Sequence, residues 1–493
     1  MSGELNFYSL LGISRFATTV EIRRAFRDAA RKSHPDMKDR AGDTALFLDT
    51  SEAYEILSDP QRRDEYDAQL LAHEERLAGK LFFQATTFHS RANLLLLDEP
   101  QIHYLLLKIR PASSLPAGMR APINLCLVVD QSKSMEGLRL DQVRGAALSI
   151  LKQLQATDSV SVVAFGDKAQ IIVTPEQARD ISLARAALSH LQAGGGTEIG
   201  QGLLSGLASL QETFTQSGIN HLVLFTDGRT YGDEELCLRL ASEAAQQQIA
   251  ISAIGIGGDW NDRFLDTLVS ITGGSVTFMD SPRTASNLLQ QILNSLERVS
   301  VRAMRMESDI HPLVDLRSVF RLLPEPMPLG ETMPMQLGHL PSEGEISLLF
   351  EMVIQPLEHE ETITLAHIKL VGEVLGGAAE EQRLPLTLRI PIASRSDPAP
   401  PPQEILSALS AVTLYRMQES ARREVELGQH TKAARRLERL STHLLSAGER
   451  KLAKAALYEA ARLRKSKMLS NEGEKTLKYG TRALLLPGGK EET

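Results

Sequence analysis

Only two of the 493 residues are cysteine, Cys126 and Cys237. Two thiols cannot build a zinc site by themselves, and they offer no disulfide framework of the kind that staples small secreted domains. The twelve histidines are scattered without the spacing of metal ligands. No stretch reaches the ~18 consecutive apolar residues of a membrane span. The opening residues 1–6 have neither the basic nor the apolar region of a signal peptide, so the expectation is a cytoplasmic protein with no membrane span. An excess of positive charge is also lacking. The net charge of −8 favours solubility and argues against wholesale nucleic-acid binding. No G-x-S-x-G elbow, H-E-x-x-H pair or nucleophile–base pairing stands in the sequence, so a non-enzymatic role is expected.

What is present is an ordinary globular composition, 42% hydrophobic and 24% charged, on a chain too long for one core. Length alone suggests about three domains. The most informative stretch is 124–134. The apolar run Leu125 to Val129 stops at Asp130, and hydroxyls follow at Ser132 and Ser134. Such a run reads as a strand buried on both faces, as in a parallel sheet covered by helices. The C-terminal ends of such strands are where open α/β sheets bind ligands. A carboxylate and two hydroxyls there are hard oxygen donors suited to Mg²⁺ or Mn²⁺.

Residues 1–72 read as a helical module. Ile22, Phe26 and Ala29/Ala30 share one side of a helix, and Arg23, Arg24, Arg27 and Arg31 lie largely on the other. Pro35 disfavours helix at His34, so the helix ends before His34-Pro35-Asp36. A second helix is expected over 45–57 and a short third one after Ser58-Asp59-Pro60. Tyr8, Leu11, the basic helix, His34-Pro35-Asp36, the 53–59 run AYEILSD and the 62–67 run RRDEYD resemble a J domain of DnaJ-type co-chaperones. The resemblance implies a DnaK-type chaperone as partner. It implies that Arg23, Arg24, Arg27, Arg31 and Lys32 face an acidic partner surface, and that His34 and Asp36, with Pro35 between them, trigger ATP hydrolysis there. Ser33 departs from the aromatic common before the histidine in the family.

Strand signals over 80–88 and 102–109 precede the central region, and more follow it over 299–306, 318–322, 346–354, 362–370 and 386–390. Two isolated strands would be marginal. Residues 73–121 and 298–396 are therefore expected to form one β-sandwich, with residues 122–297 inserted in it. The Met327-to-Met335 segment reads as a covered loop between strands.

Across 122–297, buried strand runs alternate with amphipathic helices, which demands a mostly parallel, doubly wound sheet. Thr197 follows three glycines, and Asp227 ends a buried strand as Asp130 does. Asp130, Ser132, Ser134, Thr197 and Asp227 resemble the metal-ion-dependent adhesion site of von Willebrand factor A domains. The resemblance implies hydroxyls from Ser132, Ser134 and Thr197, and carboxylates from Asp130 and Asp227 acting directly or through water. It also implies an open position for an acidic group of a protein client. Lys133 departs from the glycine common there. Its ammonium either lowers metal affinity or attracts an acidic ligand.

Residues 397–403 are a Pro-rich, stiff linker. Residues 404–493 read as a helical hairpin region, turning at Gly428 and Gly448, and weakly similar to tetratricopeptide-like hairpins. The basic run 462–467 reads as a solvated face. Taken together, the sequence describes a co-chaperone that recruits a DnaK-type ATPase and selects its client through the inserted domain. The alternative is a scaffold that assembles a complex through that domain.

Overall fold

Asn6 caps the first helix, α1 (Phe7–Leu11), by accepting from the Tyr8 N–H at 3.0 Å, and Gly12 ends it at a φ of 65° that favours glycine. In this computed structural model, the described residues are 6–33, 44–78, 81–112, 120–228, 230, 232–279, 285–330, 332–357, 362–375, 380–395 and 399–485. Thr18 and Glu21 form a reciprocal cap, Thr18 N–H to Glu21 Oε2 at 2.7 Å and Glu21 N–H to Thr18 Oγ1 at 3.3 Å. That cap starts α2 (Thr19–Ser33). α3 (Thr44–Leu57) packs on α2, with Phe26 stacked on Tyr54 at 4.3 Å and Ile22, Ala53 and Leu57 buried between them. The last helix of the module, α4 (Pro60–Ala78), is long where the sequence suggested a short one. No breaker follows Tyr66, and residues 68–76 are mostly good helix formers, so the helix continues past residue 72. Arg63 ties the module together, donating to Tyr8 Oη (2.9 Å), the Ala17 carbonyl (2.9 Å) and the Arg15 carbonyl (2.8 Å).

The two strand groups on either side of the central domain form one β-sandwich. β1 (Phe83–His89), β2 (Leu94–Leu95) and β3 (Gln101–Pro111) come first. The central domain follows as β4 (Ile123–Asp130), α5 (Leu138–Leu151), β5 (Ser159–Phe165), β6 (Ala169–Val173), α6 (Pro175–Ala178), α7 (Ile181–Ser189), α8 (Ile199–Glu212), β7 (Ile219–Thr226), α9 (Glu234–Gln246), β8 (Ile249–Ile256), α10 (Asp262–Ser270), β9 (Val276–Met279) and α11 (Ala285–Glu297). The sandwich then resumes with β10 (Val299–Ile310), β11 (Val314–Leu323), β12 (Met327–Leu329), β13 (Met335–Pro341), β14 (Ile346–Ile354), β15 (Thr362–Val374) and β16 (Glu380–Ala393).

β3 pairs antiparallel with β14 from Gln101↔Ile354 to Ile109↔Ile346, and β2 adds in parallel to β16. The sheet orders are β1-β3-β14-β11-β12 and β13-β10-β15-β16-β2. One core fills the space between them, with Leu105, Leu107, Leu348 and Phe350 meeting Met304, Leu365, Leu370 and Ile390. The Met327-to-Met335 segment is not simply a loop. Met327–Leu329 pairs with β11 as an edge strand, and Met335 begins β13.

Central strands lie in the order β6-β5-β4-β7-β8-β9, all parallel except the β6 edge. From β4 the chain moves to β5 on one side and later returns to β7 on the other. The crevice at such a reversal opens above the carboxyl ends of the two strands, here β4 and β7. Helix α8 lies close on this sheet. A Cβ on Gly206 would stand 2.5 Å from Val128 Cγ2. Gly206→Ala is expected to destabilise the protein by up to about 2 kcal/mol, an overpacking cost of about 1–3 kcal/mol less the ~1 kcal/mol that alanine gains over glycine in a helix. A lower urea midpoint would show it, and an unchanged midpoint would show that the contact yields.

Where a hairpin region was expected at the C-terminus, four helices stand: α12 (Gln403–Glu426), α13 (His430–Ser446), α14 (Arg450–Ser466) and α15 (Asn471–Ala483). The expected corners hold glycines with φ of 73° at Gly428 and 88° at Gly448. The additional helices are needed to cover the other domains. Ile405, Ala408, Val412 and Tyr415 of α12 cover Leu106, Phe320, Leu322 and Leu349 on the outer face of the first sandwich sheet. That is why β3 carries the unbroken apolar run 105–107 although its sheet is antiparallel. Helix α15 returns to the central domain, where Tyr479 meets Trp260 at 5.7 Å.

Candidate functional site

Both carboxylates singled out in the sequence lie at the β4/β7 crevice. Asp130 is the last residue of β4 and is 0% exposed. Its Oδ1 accepts from the Ser132 N–H at 2.8 Å and its Oδ2 from Thr226 Oγ1 at 2.8 Å. Ser132 Oγ lies 3.1 Å from Ser134 Oγ, which donates to Asp227 Oδ1 at 2.7 Å. Four of the five residues are thus joined by hydrogen bonds. Thr197 reaches the same place from the glycine loop, where a Cβ on Gly228 would stand 3.0 Å from its Oγ1. Burial pushes the Asp130 carboxyl above its ordinary range, the Ser132 and Thr226 hydrogen bonds oppose that, and the Asp227 charge adds to it. Two buried carboxylates ringed by hydroxyls are a hard-donor set that fits a divalent cation. Among the described residues no group of three or more His, Cys, Asp or Glu is gathered.

The glycine loop is held from beneath. Gly194 N–H donates to the Gln131 carbonyl at 2.7 Å and Gly196 N–H to Asp167 Oδ1 at 2.9 Å, while Gly195 takes a φ of 81°. Lys133 is exposed, and its N–H reaches the Gly195 carbonyl at 3.4 Å. The cation that touches the acidic pair is instead Arg139. It forms an ion pair with Asp227 Oδ2 and donates to the Ser134 carbonyl at 3.2 Å.

On the N-terminal module, Arg23, Arg24, Arg27 and Arg31 are exposed along α2. His34, Pro35 and Asp36 lie outside the described residues, and so does the Lys32 side chain. The module rests on the sandwich through the loop before α2. Asp309 of β10 accepts from Ser14 Oγ at 2.7 Å and the Arg15 N–H at 2.6 Å. Phe16 lies between His311 (4.9 Å) and His367 (5.1 Å). Burial beside Phe16, with the Arg15 charge adding to it, pushes the His367 imidazole down to about 4.

Comparison with known proteins assigns these two regions. The family model for the DnaJ domain matches residues 6–67, and that for the von Willebrand factor type A domain matches residues 124–294. The chain carries a DnaJ domain and a von Willebrand factor type A domain. A third model, the Sll0103-like C-terminal alpha-helical domain, matches residues 403–487.

The chain is similar to the uncharacterised protein sll0103 of Synechocystis sp., 28% identical over 329 residues that make up 65% of this chain and 78% of that one. The DnaJ domain is 46% identical to chaperone protein DnaJ of Erysipelothrix rhusiopathiae over 67 residues, 14% of this chain and 18% of that protein. This chain therefore spans less than a fifth of that DnaJ. The fold is similar to the solved von Willebrand factor type A protein of Catenulispora acidiphila, with a TM-score of 0.64, 16% identity and coverage of 81% of this chain and 96% of that one. Among the described residues no helix is long and apolar enough to cross a membrane.

Two residues of the A-domain site were not found from the sequence: Asp167 and Arg139. Asp167 gave no signal, being an ordinary polar residue next to a strand end. Arg139 did give one. It stands in the first turn of α5, where the helix dipole disfavours a cation unless an anion lies nearby.

Proposed function

We propose that this protein is a co-chaperone that stimulates the ATPase of a DnaK-type chaperone and holds a protein client at its A domain. The observation that carries the first half is the exposure of Arg23, Arg24, Arg27 and Arg31 on α2. The DnaJ domain is anchored elsewhere, by the loop before α2, where Asp309 of β10 accepts from Ser14 Oγ and the Arg15 N–H. The basic face stays open to an acidic partner surface, and the anchoring gives that partner a fixed approach to the rest of the molecule.

For the second half, Asp130, Ser132, Ser134, Thr197 and Asp227 would hold Mg²⁺ or Mn²⁺. A bound ion there supplies an open coordination position for a carboxylate of the client. The residues themselves do the preparatory work. Thr226 and the Ser132 N–H orient Asp130, and Ser134 orients Asp227. The site holds a ligand and performs no chemistry on it.

Two measurements test the halves separately. In a steady-state ATPase assay with a DnaK-type chaperone, Arg23→Glu combined with Arg27→Glu is expected to lower stimulation at least tenfold at low salt, because the reversed charges repel the acidic surface. Stimulation equal to wild type would sink the basic-face reading. In a Mg²⁺-dependent pull-down from source cells, wild type is expected to retain a client that Asp130→Ala and chelated wild type both lose. Retention in all three would remove the metal from the docking.

A further inference from the structure

We propose that Arg139 is an internal counter-ion that a metal must displace at Asp227, and that this exchange is felt by the C-terminal helices through the loop after β8. The inference rests on the metal reading of the site. Both oxygens of Asp227 are already engaged, Oδ1 by the Ser134 hydroxyl at 2.7 Å and Oδ2 by the Arg139 guanidinium. The Asp227 side chain is 0% exposed and that of Arg139 35%. The guanidinium therefore closes the carboxylate off from the solvent side while keeping its own route outward. A divalent cation and a guanidinium cannot both claim one carboxylate without like-charge repulsion. Occupancy of the site and the Arg139–Asp227 pair are then alternatives.

The same guanidinium abuts the backbone that follows β8. A Cβ on Gly257, whose φ is 70°, would stand 3.0 Å from Arg139 Nη2. That loop is gripped from its other side by the start of α15. Lys475 Nζ donates to the Gly258 and Trp260 carbonyls, the latter at 2.7 Å, and lies 4.7 Å from the centre of the Trp260 ring. Asn471 Nδ2 donates to Asp259 Oδ1 at 3.1 Å. A Cβ on Gly258 would stand 3.2 Å from the Glu472 nitrogen. The loop thus lies between Arg139 and α15, in contact with both, and a guanidinium that gives up Asp227 changes one wall of it.

The test is a calorimetric Mg²⁺ titration of the full chain as wild type, Arg139→Ala, Arg139→Gln and Asp130→Ala. It is paired with hydrogen exchange over residues 471–478, with and without Mg²⁺. Removing the competing cation is expected to tighten Mg²⁺ binding about tenfold in both Arg139 variants, the equivalent of about 1.4 kcal/mol. Mg²⁺ is expected to change exchange over 471–478 in wild type and to leave it unchanged in the Arg139 variants. If wild type takes up Mg²⁺, Asp130→Ala does not, and the Arg139 variants bind no tighter than wild type, the metal site stands and the counter-ion role falls. An exchange response that persists in the Arg139 variants overturns the relay. Absence of Mg²⁺ uptake in wild type and both Arg139 variants overturns the inference together with the metal reading.

Discussion

Asp266→Ala is expected to release α15 from the A domain at a cost of about 3–5 kcal/mol, the range for removing one partner of a buried ion pair. Asp266 on α10 receives Lys478 Nζ at 2.8 Å and Arg482 at 2.9 and 2.6 Å. The Lys478 and Arg482 side chains are only 2% and 4% exposed. Without the carboxylate, two cations remain in a dry interface, and only Lys478 keeps a carboxylate there, that of Asp262. The reporter is built in. Trp260 is the only tryptophan of the chain, and it is buried against Tyr479 and Lys475 of α15. A red-shifted emission in Asp266→Ala, at urea concentrations where wild type is unchanged, is the expected result. An unshifted spectrum together with an unchanged urea midpoint would show that the cluster does not hold α15 in place.

The pH dependence has a definite sign. Burial pushes the Asp266 carboxyl up, but the Arg482 and Lys478 charges more than offset this and leave it below its ordinary value. A carboxylate depressed on folding contributes its full stability above the unfolded-state value, near 3.8 here, and loses it as pH falls toward the folded-state value. Asp262 moves the same way. Burial again opposes the shift, and the hydrogen bond from Arg422 and the Lys478 charge outweigh it. The Trp260 emission of wild type should therefore hold steady down to about pH 4 and move only below it.

His34→Gln is expected to reduce stimulation of a DnaK-type ATPase to the chaperone's basal rate while leaving the DnaJ domain folded. The core of that domain is Tyr8, Leu11, Ala17, Ile22, Ala53 and Leu57, with Phe26, Tyr54 and Tyr66 packed against it. None of these residues lies in the His34-Pro35-Asp36 segment. The circular dichroism spectrum should therefore stay as in wild type while the steady-state rate collapses. Equal stimulation by wild type and variant would mean that the tripeptide is not the trigger here.

The domain plan was legible because each domain announces itself locally. Buried runs such as Leu125 to Val129 ended at the polar residues that the parallel sheet then gathered, and the orphaned strands before the A domain required partners after it. The five polar positions were legible for the same reason, since strand ends in a parallel sheet converge. The cation among them was not. Lys133 draws attention because it interrupts the motif, whereas the residue touching Asp227 is Arg139, in the first turn of the following helix. The pairing of α10 with α15 was equally hidden. Asp262 and Lys478 lie 216 positions apart, and each by itself looks like a charge on a solvated helix. The length of α4 was misjudged because residues 68–76 form no motif, and helix formers simply carry it on.

The inserted A domain also sets an order of manufacture. β3 waits for β14, whose residues are added roughly 240 positions later, on the order of 10 to 50 s at bacterial elongation rates of ~5–20 residues per second. During that interval the DnaJ domain is complete, the A domain is folding, and an apolar strand paired only with β1 hangs between them with its other edge open. On the proposed co-chaperone reading, a nascent chain of this design would carry its own means of recruiting a chaperone through the period when it most resembles a chaperone's client.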